Sequence, residues 1–241
     1  MNKEKNMNHV IILAGGIGSR MKLDIPKQYY EVQGCPIIMF SIRKFVNHPL
    51  ISSIVIVLAE QWKDYVQEKI RGESIRLGKK IIFANAGESR QHSVLNGLLS
   101  LRGIAQENDK VFVHDAVRPL FPLSNITDGI DACDHDDVAL PVITVKDATY
   151  QSYDGNHLSR ILPRQELYSG QSPECVVYGK FFEAHSHFSH EELLSIRGCS
   201  ELAFKAGLSV KLIPGTEENF KITTIEDLHS FEMVLNKSVE K

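Results

Sequence analysis

Gly15, Gly16 and Gly18 sit in the run Leu13-Ala-Gly-Gly-Ile-Gly-Ser-Arg20, and Lys27 follows in Ile25-Pro26-Lys27-Gln28. Glycines let backbone N–H groups wrap phosphate oxygens, and a helix N-terminus after such a loop adds positive potential. No Gly-Lys-Ser/Thr follows, so this is not a Walker A loop. Met21 stands where a dinucleotide fingerprint has its third glycine. Arg20 and Lys27 on either side of the loop suit a triphosphate and the negative charge that develops in phosphoryl chemistry. A ligand-free glycine turn is the plain alternative for the loop alone, as a solvated surface residue is for either cation alone.

Such a loop needs a buried strand to present it. Val10 to Leu13, Ile54 to Leu58, Ile81 to Phe83, Val111 to Val113 and Val138 to Val145 are continuous apolar runs rich in β-branched residues. They fit strands buried on both faces, as in a largely parallel sheet. Between them, Ile38, Ile42 and Phe45 recur at helical spacing after Pro36, a good first helical position. Trp62, Tyr65 and Val66 predict a second helix face, Leu95, Leu98 and Leu99 a third, and Leu228, Phe231 and Leu235 a C-terminal one. Strand–helix alternation predicts a doubly wound, mostly parallel α/β sheet. Residues 146–175 break this rhythm. Asp154-Gly155 after a Thr/Tyr-containing run is a hairpin signal and predicts a projecting β-arm. From pattern alone it is equally a dimerisation arm or an ordinary surface hairpin.

Composition excludes several classes. The chain has 241 residues, 43% hydrophobic and 24% charged, with a formal net charge of −3. That is globular usage, with no electrostatic drive toward nucleic acid or an anionic membrane. No apolar run approaches the roughly 20 residues of a membrane-spanning helix. A polar tail over residues 1–8 and one domain over residues 9–241 are expected. Cys35, Cys133, Cys175 and Cys199 have no metal-type spacing and are expected as free thiols, which with the lack of a secretion signal predicts a cytoplasmic protein. His185, His187 and His190 lack a partner cluster and are expected on a solvated surface.

Ala14-Gly-Gly-x-Gly-x-Arg20-Met21 followed by Pro26-Lys27-Gln28 resembles the signature of nucleotidyltransferases that activate sugar or alditol phosphates, in the cytidylyltransferase branch. Four further segments resemble that branch in order: Gly87-Glu-Ser-Arg-Gln-His-Ser-Val94, His114-Asp-Ala-Val-Arg-Pro119, Gln171-Ser-Pro173 and Asn219-Phe-Lys-Ile-Thr-Thr224. Two subfamilies matter, one acting on 2-C-methyl-D-erythritol 4-phosphate and one on D-ribitol 5-phosphate. Leu167-Tyr-Ser-Gly-Gln-Ser-Pro173, Val117 and the segment Phe188 to Leu202 look like the ribitol enzymes. Ribitol 5-phosphate is therefore the expected acceptor, for teichoic acid or capsule polymers, with methylerythritol phosphate as the alternative. A catalytically silent CTP-binding module is the alternative of another class. Asp147-Ala148-Thr149, Pro163 before Arg164, Glu218 and Glu174 depart from the family pattern, mostly on the acceptor side.

The resemblance implies transfer of CMP from CTP to an alditol phosphate with release of pyrophosphate. The nucleophile is an anionic phosphate oxygen, so no general base is required, and catalysis is positioning and charge stabilisation. It implies that Leu13, Ala14, Gly15, Gly16 and Gly18 bind the nucleotide, and that the glycine-loop amides and the catalytic Arg20 hold its β- and γ-phosphates. Lys27 and Lys221 stabilise the α-phosphate. Gly87, Glu88, Arg90 and Ser93 bind the cytidine, and Asp115 contacts the ribose or a Mg²⁺ ion that bridges triphosphate oxygens. Asp147, Thr149, Arg164 and Thr223 fall to the acceptor. A homodimer is implied, with Arg164 on the β-arm reaching the neighbouring subunit. Arg118 is either catalytic or a structural residue pairing inside its loop.

Overall fold

A computed structural model describes residues 7–16, 24–72 and 79–239. Gly18, Arg20 and most of the expected tail lie outside the described residues. Asn8, assigned to that tail, already belongs to the first strand and is buried.

The described elements run β1 (Asn8–Leu13), β2 (Glu31–Val32), β3 (Cys35–Pro36), α1 (Ile37–Asn47), β4 (Ser53–Leu58), α2 (Lys63–Gly72), β5 (Lys80–Asn85), α3 (Arg90–Leu99), β6 (Lys110–Asp115), α4 (Ser124–Ala132) and β7 (Val138–Thr144). They continue with β8 (Thr149–Gln151), β9 (Arg160–Leu162), β10 (Tyr168–Gly170), β11 (Glu174–Val177), α5 (Tyr178–His185), α6 (His190–Ser195), α7 (Cys199–Lys205), β12 (Val210–Pro214) and α8 (Ile225–Val239). The main sheet has the order β10-β7-β11-β6-β1-β4-β5, with β12 paired in parallel to β7. β5, β4, β1 and β6 are all parallel. β11 runs antiparallel between β6 and β7, so the mostly parallel expectation holds for a mixed sheet.

β1, β4 and β6 bury both faces, while the edge strand β5 is only partly covered. Val10 and Ile12 join Ile54, Ile56 and Leu58 against α1 and α2, where Ile38, Ile42, Phe45, Val66 and Ile70 close one core layer. Ile11, Val55 and Val57 face the other way, against Val94 and Leu98 of α3 and Phe181, Leu202 and Ala203 of α5 and α7. Continuous apolar runs encode this arrangement, because every second residue would be wasted on a sheet with one wet face. Leu99 departs from the expected α3 stripe. It is exposed, and Val94, Leu98 and the following Leu101 form the buried face instead.

β8 and β9 pair as a separate two-stranded ribbon with Thr149 opposite Leu162 and Gln151 opposite Arg160, as the hairpin signal predicts. The expected arm over 146–175 is too long at its C-terminal end. β10 pairs with β7, and Glu174 and Cys175 already lie in β11 inside the main sheet. The apolar Cys175-Val-Val177 is fully buried there, which an arm projecting from the sheet cannot provide.

The chain leaves β1 for β4 and β5 on one side, then returns to β6 on the other. This reversal opens a crevice beyond the C-terminal ends of β1 and β6, the place where such sheets bind ligands.

Candidate active site

A cleft of about 560 Å³ occupies that crevice. Leu13, Gly15 and Gly16 enter it from the end of β1, Lys27 and Gln28 from the following turn, and Gly87, Glu88, Ser89, Arg90 and Ser93 from the β5–α3 connection. Asp115 and Val117 come from the end of β6, and Lys221 from the stretch between β12 and α8. Ala14 lies just behind this wall, buried, with its N–H donated to Val57 O at 2.7 Å.

Two of the glycines are required by close approach. A Cβ on Gly15 would stand 2.3 Å from Ala86 Cβ, and one on Gly87 would stand 2.6 Å from the His92 carbonyl carbon. The glycine loop therefore packs directly on Ala86, and Gly87 on the first turn of α3, at distances that no side chain would allow. Gly87 N–H donates to Ser93 Oγ at 3.0 Å, which leaves the Ser93 hydroxyl hydrogen for another acceptor. Ser89 caps α3 by accepting His92 N–H and donates its hydroxyl to Leu193 O at 3.0 Å, which ties the loop to α6. Glu88 Oε2 is 3.1 Å from His190 Nε2.

The floor is a charge cluster. Asp115 Oδ2 accepts Lys221 Nζ at 2.8 Å, Asp115 Oδ1 lies 3.5 Å from Arg90 Nη2, and Arg118 Nε stands 4.0 Å away. Burial acts to raise the Asp115 pKa. Arg90, Lys221 and Arg118 overcome it and hold the carboxyl well below the usual carboxylate range. Arg90 is also held by Glu174 Oε1 at 3.1 Å and by Cys199 Sγ at 3.5 Å. Glu174 in turn accepts the Ser200 N–H at 2.8 Å at the start of α7.

Arg118 does not line the cleft. Burial pushes its pKa down, and its Nη1 donates to Asn219 O at 2.6 Å, so the structural role inside the loop is the one its contacts support. Asn219 Nδ2 donates to Gln171 Oε1 and Ser172 O, and Gln171 Nε2 donates to Thr216 O. These bonds tie the Gln-Ser-Pro and Asn-x-Lys segments together and set the backbone that carries Lys221. Ser172 Oγ accepts the Asp115 N–H at 3.1 Å and lies 3.3 Å from Nδ1 of the buried His114.

The expected acceptor residues stand apart from the cleft. Thr223 donates its hydroxyl to Asp227 at the start of α8. Asp147, Thr149 and Arg164 lie on the arm, where Thr149 Oγ1 donates to Asp147 O and Arg164 Nη1 donates to Lys146 O. Gln28, Ser89, Val117 and Glu174 were not assigned roles from sequence. Gln28 and Ser89 could have been found inside their motifs, and Glu174 as a charge opening the apolar strand β11.

His185 corrects the surface expectation for the histidines. It is 3% exposed, and its Nδ1 lies 2.9 Å from Phe181 O. Among the described residues no group of three His, Cys, Asp or Glu side chains is placed to hold a metal ion, and all four cysteines are free. Among the described residues no helix is long and apolar enough to cross a membrane.

The family model for IspD, 2-C-methyl-D-erythritol 4-phosphate cytidylyltransferase, matches residues 8–237. A 2-C-methyl-D-erythritol 4-phosphate cytidylyltransferase of Clostridium acetobutylicum is 33% identical over 96% of this chain and 99% of its own length. A ribitol-5-phosphate cytidylyltransferase of Streptococcus pneumoniae is 30% identical over 94% of this chain and 97% of its own length. Among solved structures, the Francisella tularensis 2-C-methyl-D-erythritol 4-phosphate cytidylyltransferase aligns with a TM-score of 0.79 at 26% identity, covering 95% of this chain and 99% of that one. With the crevice, the glycine loop and the converging lysines already in place, this match over nearly the whole chain identifies it as a nucleotidyltransferase belonging to the IspD family of cytidylyltransferases.

Proposed function

We propose that the cleft binds CTP and transfers its cytidylyl group to 2-C-methyl-D-erythritol 4-phosphate, releasing pyrophosphate. The observation that carries the nucleotide assignment is the convergence of Gly15, Gly16, Lys27 and Lys221 on one cleft wall beside the Gly87–Ser93 turn. The acceptor assignment has the support of the family description and of the relatives at 32–33% identity that carry the same name. D-Ribitol 5-phosphate, the acceptor expected from the Leu167–Pro173 segment, becomes the second reading, supported by the pneumococcal relative.

The reacting oxygen of the acceptor phosphate is already anionic at neutral pH. The protein must bring it in line with the α-phosphorus and stabilise the added charge there. Lys27 and Lys221, both lining the cleft, supply that charge. Asp115 preorganises Lys221, so little reorganisation accompanies the transition state. Gly15 and Gly16 offer backbone to the β- and γ-phosphates. Ser93, fixed through Gly87 N–H, offers its hydroxyl hydrogen to the acceptor edge of cytosine. Of the two carboxylates lining the cleft, Glu88 faces His190, and Asp115 is the one we assign to Mg²⁺, which prefers phosphate oxygens and water with one or two carboxylates. Bound there, the ion would neutralise triphosphate charge. Arg164 on the arm of a second subunit would complete the acceptor side of a homodimer.

Pyrophosphate release with CTP and Mg²⁺, measured in parallel with the two acceptors, tests this reading. A higher kcat/KM with methylerythritol phosphate is expected. A higher value with ribitol phosphate reverses the order of the two acceptors, and CTP binding without turnover of either supports the silent module.

A further inference from the structure

Gln28 is a buried polar side chain, 3% exposed, behind the glycine loop. It projects from the 3-10 turn Lys27–Tyr29, and its Nε2 donates to Ala14 O and Gly16 O, both at 2.7 Å. Tyr29 OH donates to the same Ala14 O at 2.9 Å. The Tyr29 ring is fully buried and stacked on Trp62 with centroids 4.3 Å apart, so this second donor is rigidly aimed. Three donor hydrogens thus converge on two loop carbonyls.

A trans peptide unit is planar, and its C=O and N–H point in opposite directions. Drawing Ala14 O back toward Gln28 and Tyr29 therefore turns the Gly15 N–H the other way, toward the cleft. Among the described residues no acceptor takes the N–H of Gly15 or Gly16, and both glycines line the cleft. We infer that Gln28 is a positioning residue for the nucleotide's phosphates, its buried carboxamide setting the direction in which the glycine-loop amides point. The inference rests on the proposed use of this cleft for CTP. A primary carboxamide suits the task because it places two N–H donors on one uncharged nitrogen. A glutamate there would set acceptors against acceptors. A lysine would add a buried charge next to Lys27. A methionine would fill the space and donate nothing.

Titration calorimetry of CTP and of CMP in the presence of Mg²⁺, on wild type, Gln28→Met, Gln28→Glu and Tyr29→Phe, separates this role from general packing. CMP lacks the β- and γ-phosphates that the loop would hold. Its Kd should stay within about twofold of wild type, while the CTP Kd should weaken about tenfold in Gln28→Met and further in Gln28→Glu. Tyr29→Phe deletes one donor and keeps the ring stack. It should weaken CTP selectively by a smaller factor, and it carries the same comparison if a Gln28 variant does not fold. Equal losses for CMP and CTP, or a CTP affinity unchanged in folded variants, overturns the inference. Wild-type protein that binds neither nucleotide overturns the nucleotide reading itself, an outcome distinct from selective failure of Gln28.

Discussion

Lys221 Nζ lies 2.8 Å from Asp115 Oδ2, a pair joined across 106 residues of sequence. The carboxylate belongs to the end of β6, and the lysine to the stretch before α8. Asp115 also faces Arg90 and Arg118, so one carboxylate organises three cations beneath the cleft. The two ends of the pair should differ in what their loss does. Asp115→Asn leaves the partly exposed Arg90 and Arg118 with Glu174 as the remaining carboxylate of the cluster, and should lower the unfolding free energy by about 1–3 kcal/mol in urea titrations. Lys221→Ala removes a side chain that is 38% exposed and should cost under about 1 kcal/mol while turnover collapses. Equal stability losses in the two variants would contradict this division of labour.

Lys27 enters the cleft beside the glycine loop. Lys27→Ala should lower kcat about 10²–10³-fold, the usual effect of deleting one preorganised charge at a transition state, with little change in Tm. A near-normal kcat in the folded variant removes Lys27 from the chemistry.

The Gly87–Ser93 turn should make the enzyme prefer CTP over UTP, because a pocket that pairs with cytosine leaves buried groups unpaired on uracil. A methyl group on Gly87 has nowhere to go next to His92 and Ser93. Gly87→Ala should therefore break the bond to Ser93 Oγ and lower kcat/KM for CTP by about tenfold or more. Steady-state rates with both nucleotides check this, and equal kcat/KM for CTP and UTP in the wild type would rule out base reading here.

His114 is fully buried, and burial pushes its pKa down to about 3. An unfolded histidine titrates near 6.5. Between these values the unfolded chain carries a proton that the folded one lacks, so stability rises with pH across that window. It should be complete above about pH 6.5 and fall on acidification by up to about 1.4 kcal/mol per pH unit for each such histidine. Burial moves His9 and His185 in the same direction. Unfolding free energies at about pH 7, 6 and 5 should show this slope, reduced in His114→Asn, and a flat profile would refute it.

The arm exposes Tyr150, Tyr153, Leu158 and Ile161, with Tyr153 82% exposed. A two-stranded ribbon gains stability by packing on another surface, and closed two-fold dimers are the commonest way to supply one. Arg164→Ala should raise the KM for the acceptor and leave CTP affinity unchanged. Mixed with Lys27→Ala subunits and allowed to exchange, it should recover activity, since one site of each heterodimer would hold both residues. Sedimentation of an active monomer would exclude the shared site.

The parallel half of the sheet was readable because β1, β4 and β6 bury both faces and so spell continuous apolar runs. β11 was not, because its four residues overlap the end of the stretch 146–175 and are too few to stand out as a separate apolar run. β12 escaped notice for a different reason: Val210–Pro214 leaves most of its side chains exposed and has no buried run. Gly15, Gly16, Gly87, Ser93, Lys27, Asp115 and Lys221 do line one cleft. What sequence could not supply were the partners of the supporting residues. Gln28, His114 and Glu174 sit inside or beside legible motifs, but nothing local says that they meet Gly16, Ser172 and Ser200.

The cleft wall is assembled from the turns after β1, β5 and β6 and from the approach to α8. The two lysines of the wall thus come from segments far apart in the chain, one beside β1 and one just before α8. If the cleft takes CTP as proposed, saturating CTP should slow amide exchange in β1 and α8 together, coupling these distant segments as one cooperative unit.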